Sequence, residues 1–179
     1  NDVQVEVYAS SLNFKDLMLA LGMLENPMGL ELSGIVTNVG LNASKNFQIG
    51  DEVFGFANHC FASQVVTHGD FLVKKPSHLS HTDAVSLPIV FATVYAGLIA
   101  KAQVKAGETV LIHSAAGGIG QAAIQLCQHM GAHVICTVGS SEKRQFLEQT
   151  YGCKLFANSH STEEWKSEVM KLTNGEGVD

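Results

Sequence analysis

Basic residues are scarce: 11 Lys and Arg stand against 17 Asp and Glu, for a net charge of −6. With no basic stripe, nucleic acid is not an expected partner. No apolar run has the length of a bilayer span and no cleavable signal pattern opens the chain, so no membrane association is expected. The four cysteines, Cys60, Cys127, Cys136 and Cys153, include no C-x-x-C pair. Two of them fall in predicted buried elements, where a thiol behaves as a small hydrophobe, and a reducing, cytoplasmic setting is expected. Internal repeats and low-complexity stretches are missing too. The eight histidines show no triad or metal spacing. His78 and His81 form a pair near a proline without a third or fourth ligand, which reads as surface.

What is present is enough apolar material, 46% of 179 residues, for one packed domain or two small ones. Val3, Val5 and Val7 alternate with Gln4 and Glu6 as in a half-buried strand. Asn13 can cap a short helix in which Leu17 and Leu21 share a face, and Gly22 ends it. Leu32 to Val39, Val53 to Phe56 and Phe61 to Thr67 read as further short strands with glycine turns, the pattern of a small barrel-like β domain. From His81 to Ala102 the pattern is helical, with Ala84, Val85, Val94, Leu98 and Ile99 on the buried face and Pro88 separating two helices. Helices over Glu142 to Gln149 and Glu163 to Leu172 flank a strand over Lys154 to Ala157.

The most informative stretch is Thr109 to Arg144. Val110, Leu111 and Ile112 form a short apolar run suited to a buried parallel strand. Gly117, Gly118 and Gly120 follow within four positions, and Ile119, Ala122, Ala123, Leu126 and Met130 then recur at helical spacing up to Gly131. Val134 to Val138 makes the next strand. A strand, glycine turn, helix and strand in this order form a βαβ unit whose helix start offers unpaired N–H groups and partial positive charge to a diphosphate; a tight turn with no ligand is the structural alternative. An NAD site places an acid at the tip of the second strand. Here the strand ends Thr137-Val138-Gly139-Ser140-Ser141, with Lys143 and Arg144 just beyond. Hydroxyls and cations suit a 2′-phosphate, so NADPH is favoured over NADH. Glu142 dissents and is expected to point away along the next helix. Lys143 and Arg144 also suit a plain solvated helix face.

Six blocks in order carry a family resemblance: Ser11-Leu12-Asn13-Phe14-Lys15-Asp16, Gly29-Leu30-Glu31-Leu32-Ser33-Gly34, Gly50-Asp51-Glu52-Val53-Phe54-Gly55, Ser86-Leu87-Pro88-Ile89-Val90-Phe91-Ala92-Thr93, Leu111 to Gly120, and Thr137 to Arg144. The chain resembles the medium-chain dehydrogenase/reductase superfamily, and within it the enoyl reductase domains of polyketide and animal-type fatty acid synthases. That resemblance implies an α/β chain with a GroES-like β-barrel domain over residues 1–85, N-terminally truncated. The first half of a doubly wound parallel Rossmann domain follows over residues 86–179, with NADPH in the cleft between the domains. The implied reaction reduces the 2,3 double bond of a trans-2-enoyl thioester on an acyl carrier protein, hydride going to the β-carbon and a proton to the α-carbon. Other synthase domains of the same polypeptide and a homodimer are the implied partners. Asn13 and Thr93 match positions near the nicotinamide; Asn13 equally suits a helix cap, and Thr93 a hydroxyl bonded along its own helix. Ala115, Ala116, Gly117, Gly118, Ile119 and Gly120, with Thr137, Gly139, Ser140, Lys143 and Arg144, complete the implied cofactor set.

Departures from the family matter as well. Zinc-dependent members place Cys where Asn13 stands and Gly-His-Glu where Gly29-Leu30-Glu31 stands, so both ligands are missing and no metal is expected. Leu24 occupies a position where many bacterial synthase domains have Tyr, and a leucine donates no proton. The Lys and Asp proposed as proton donors in the family lie beyond Asp179, so no catalytic residue is assigned. The chain reads as a piece of a longer polypeptide, opening without Met and stopping at the start of another strand. A free-standing NADPH:quinone oxidoreductase-like enzyme, or a non-catalytic NADPH-binding module, is the alternative function.

Overall fold

The computed structural model describes all residues, 1–179, as two compact units, Asn1–Ile89 and Val90–Asp179. In the first, five antiparallel strands run in the order β4-β1-β2-β3-β5. They are β1 (Asp2–Ser10), β2 (Glu31–Val39), β3 (Glu52–Phe56), β4 (Gln64–His68) and β5 (Leu72–Lys74). Val3 and Val5 are fully buried with Leu32, Val36, Val53 and Leu72, as period-two alternation requires of a sheet with one covered face. Irregularities at Gln4/Val5 and Val7/Ala9 of β1 bend the sheet. β5 was not expected from the sequence; three residues are too few to show a period.

Helix α1 (Phe14–Ala20) departs from its sequence reading. Leu17 and Leu21 are 48% and 64% exposed, and the buried member of the helix is Asp16. The first unit ends in α2 (His81–Val85) and the start of α3 (Pro88–Val94), and the helical run continues in wider winding over Tyr95–Lys101, where Ala102 N–H bonds Gly97 O at 2.9 Å. One expectation is corrected here. The helical run His81–Lys101, with mean hydropathy 1.7, is long and apolar enough by length and composition to cross a membrane, because helical residues interrupted by few charges add up even without a continuous apolar block. Ala84, Val85, Pro88 and Val94 are nonetheless buried in the chain's own packing.

The second unit is a parallel three-stranded sheet, β6 (Thr109–Ile112), β7 (His133–Val138) and β8 (Leu155–Asn158), in that order. Helices α4 (Gly118–Met130), α5 (Ser141–Tyr151) and α6 (Thr162–Leu172) connect and cover it. Ile112, Ile124, Cys127, Cys136 and Leu147 form one core cluster, and Ile135, Ala157 and Val169 another. Adjacent residues Ile135 and Cys136 enter different clusters because a strand sends alternate side chains to opposite faces. β6 is an edge strand whose open side is met at Thr109 by Asp179, through bonds of 2.8 and 3.1 Å. All four cysteines are free and buried, and burial pushes Cys60 and Cys136 up to about 12, so neither is a thiolate nucleophile at neutral pH.

Outside the cores, Asp51 takes the Lys74 ammonium at 2.8 Å and the Gln48 N–H at 2.9 Å, which hold its carboxyl below the ordinary carboxylate range. A depressed folded pKa contributes stability above the unfolded value, lost as pH falls through the folded one. Asp51→Asn should therefore lower the thermal midpoint at pH 7, with a loss of about 1 kcal/mol or less of unfolding free energy because Lys74 is largely exposed, and the gap should close as the pH is lowered from 4 towards 2.

Candidate dinucleotide site

β6 ends at Ile112, and the chain turns through His113 to Gly117 before α4 starts. Two contacts to β7 fasten this turn. Ser114 N–H donates to Thr137 Oγ1 (3.1 Å), and Ala115 N–H donates to Thr137 O (3.1 Å). Thr137 is fully buried, so it acts through the turn. The turn is narrow at one point. A Cβ on Gly120 would lie 2.5 Å from Ala115 O and 2.6 Å from Ala115 Cα, closer than any side chain tolerates. A Cβ on Gly117 would meet only Ser114 O, at 3.3 Å. Gly120, more than the other glycines, lets the helix start close against the turn.

The first N–H groups of α4, those of Gly118, Ile119 and Gly120, have no intrahelical acceptor and sit at the positive end of a 13-residue helix. A hollow of about 350 Å³ opens beside the turn, lined by Ser114, Ala116, Gly117, Gly139 and Lys143 together with Ser159 and His160. No acidic side chain lines it. A glycine cradle, free N–H groups and an ammonium make a donor set that fits a dinucleotide phosphate.

Ser140 caps α5, its hydroxyl accepting from Lys143 N–H at 3.4 Å. Arg144 is more occupied than its sequence position suggested. Its Nε bonds Glu148 Oε1 at 2.9 Å, and its guanidinium lies 4.9 Å from the Phe156 ring centroid, in a neighbouring hollow with Ser140 and Ser141. Glu142 also corrects its expectation. It does not point away: its own N–H and the Ser140 and Ser141 hydroxyls hold its carboxyl below the usual range, the habit of an acid in a helix's first turn.

Ser159 and His160 were missed from the sequence. They follow β8, and a parallel sheet gathers the carboxyl ends of its strands beside the glycine turn. That rule was the available signal. His160 Nε2 donates to Gly139 O at 2.7 Å, and a Cβ on Gly139 would lie tightly against Ser159 Oγ (3.1 Å) and Nε2 (3.2 Å). Thr93, exposed on α3, lines an apolar hollow of about 270 Å³ with Ile112, Ile119 and Gly120, so α3 flanks the glycine turn.

Asn13 belongs to the first unit. It precedes α1, and Asp16 reaches back to accept its backbone N–H at 2.8 Å while also accepting Gly29 N–H at 2.8 Å. The Asn13 side-chain nitrogen donates to Glu31 Oε1 at 2.8 Å and to Ser11 Oγ at 3.2 Å. Asp16 and Glu31 are buried, at 0% and 2% exposure. His81 bonds Ser33 Oγ at 2.8 Å and faces Glu52, so it is engaged within the fold. No group of three or more His, Cys, Asp and Glu side chains is arranged to hold a metal ion.

Residues 1–77 match the alcohol dehydrogenase GroES-like domain family and residues 118–179 the zinc-binding dehydrogenase family. With both domains in this order, the chain belongs to the medium-chain dehydrogenase/reductase superfamily. More particularly, it is similar to the highly reducing polyketide synthase easB of Emericella nidulans, 44% identical over 182 residues, which cover all of this chain and 7% of that protein. It is also similar to the CurK enoyl reductase, with TM-score 0.94 and 39% identity, covering 100% of this chain and 57% of the other. The mycobacterial protein Rv1454c complexed with NADPH matches at TM-score 0.88 and 27% identity, covering 99% and 56%.

The close approach at Gly120 is directly testable. Gly120→Ala should cost about 1–3 kcal/mol of unfolding free energy through overpacking against Ala115, while Gly117→Ala should cost less than half as much in the same urea titration.

Proposed function

We propose that the chain is the NADPH-dependent, zinc-independent enoyl reductase portion of a multidomain polyketide or fatty acid synthase. Its substrate in this reading is a trans-2-enoyl thioester on an acyl carrier protein, and other domains of the synthase are its partners. The observation that carries the proposal is the hollow shared by the glycine turn and Lys143, free of acidic lining. Similarity to the CurK enoyl reductase and to reducing polyketide synthases supports the reaction class, and a match to a protein complexed with NADPH supports the cofactor.

NADPH supplies hydride for the β-carbon of the substrate. The unpaired N–H groups at the start of α4, at the positive end of the helix beside Gly117, would favour a phosphate of the cofactor. Lys143 would neutralise the 2′-phosphate with its ammonium, and the Ser140 hydroxyl, in the adjoining hollow, would donate to it. Ile119 and Thr93 line the apolar side of the same turn. The proton for the α-carbon is assigned to no residue of this chain. Zinc independence is supported by Asn13 and Leu30 at the positions where zinc-dependent members carry Cys and His.

The test is direct. The full-length protein should bind NADPH and consume it with crotonyl thioester; NADPH binding without turnover of any enoyl thioester would sink the enzymatic reading. Lys143→Glu should weaken NADPH binding by about 10-fold or more and NADH binding hardly at all.

A further inference from the structure

Between β8 and α6, His160 is fixed at two points. Its backbone N–H bonds Asn158 Oδ1 at 3.0 Å, and Glu168 and Glu164 of α6 hold Asn158 in turn, at 2.7 and 3.1 Å. Its ring bonds Gly139 O, just past β7, through Nε2 at 2.7 Å. A carbonyl oxygen only accepts, so Nε2 carries the hydrogen and the neutral ring keeps its lone pair on Nδ1. A proton added at Nδ1 leaves the bond to Gly139 intact and spreads a full positive charge over the ring. That ring lines both hollows at the carboxyl ends of the strands, one with Gly117 and Lys143, the other with Ser140, Arg144 and Glu168. The charged groups around it pull in both directions: Lys143 and Arg144 of α5 oppose a further cation, whereas Glu142 of α5 and Glu164 and Glu168 of α6 favour one. A dianion beside the ring decides the balance.

We propose that His160 is a specificity-determining residue, a second cation that the 2′-phosphate of NADPH charges on arrival by drawing a proton onto Nδ1. The inference rests on the NADPH-dependent reading above and sharpens it. A phosphate monoester has its second ionisation at about pH 6, so above that it brings two negative charges. Lys143 answers one of them, and Arg144 is already engaged with Glu148. The proton comes from solvent, so NADPH binding takes up protons and the preference for NADPH over NADH shrinks as the pH rises. NADH, which lacks that phosphate, gains nothing from the charge.

Binding titrations of the full-length protein with NADPH and NADH, at constant ionic strength, test this without relying on turnover. Between about pH 6.5 and 8.5, where the phosphate stays dianionic, NADPH affinity should fall about fivefold while NADH affinity stays level. Calorimetry in two buffers of different ionisation enthalpy should register proton uptake with NADPH and none with NADH. His160→Gln, whose amide still has a donor for Gly139 O, should bind NADPH at the acid end only as well as wild type does at the alkaline end, with the slope gone. H160R carries a permanent charge and should bind NADPH tightly at both ends. An NADPH preference that does not change with pH, or a slope that H160Q or H160R retains, overturns the inference and leaves the cofactor reading standing. A wild-type protein with no preference for NADPH over NADH anywhere in this range overturns the 2′-phosphate reading itself, and this inference with it.

Discussion

The second unit depends on one backbone approach, that of Gly120 to the Ala115 carbonyl. A helix can start this close to the preceding turn only where no Cβ intervenes. The contact is held from behind by Thr137, whose hydroxyl and carbonyl take consecutive N–H groups of the turn. Held from behind, the turn borders a hollow at Ser114, Ala116 and Gly117. Lys143, Ser159 and His160 line that space because the carboxyl ends of β6, β7 and β8 converge there.

The two units treat backbone N–H groups in opposite ways. In the first, buried carboxylates satisfy them: Asp16 takes those of Asn13 and Gly29, and Glu31 takes that of Ile89. A buried acid without a cation is costly unless several donors surround it: Asp16 has the N–H groups of Asn13 and Gly29, and Glu31 has the Ser11 hydroxyl and the N–H groups of Asn13 and Ile89. The loop that carries Asn13 is thereby tied to β2 and to the start of α3. In the second unit the N–H groups at the start of α4 have no side-chain cap.

The sequence was legible where period and punctuation agree. Alternating valines marked β1, the run Val110 to Ile112 marked β6, and Gly131 stopped α4 in a left-handed conformation as its position suggested. It was misleading where a side chain's neighbour comes from elsewhere in the chain. Leu17 and Leu21 share a helical face that stays exposed, because the burial on α1 is that of Asp16, drawn in by Gly29. Glu142 turns back to Ser140 and Ser141, since a first-turn acid is attracted to the helix start whatever cofactor the site serves. Arg144 is drawn to Glu148 and the Phe156 ring, a pairing invisible until α5 and β8 are packed together.

From the sequence alone follow the βαβ unit, the small β domain before it, the glycine turn and the missing acid at the tip of β7, because each is written in residues a few positions apart. Only the tertiary structure decided that Gly120 is the glycine of this turn with no room for a side chain, that Ser159 and His160 line the hollow beside it, and that Glu31 accepts the Asn13 side-chain N–H. Each of these depends on atoms from separate segments lying within about 3 Å of one another, a proximity that pairing of strands creates and linear spacing does not record.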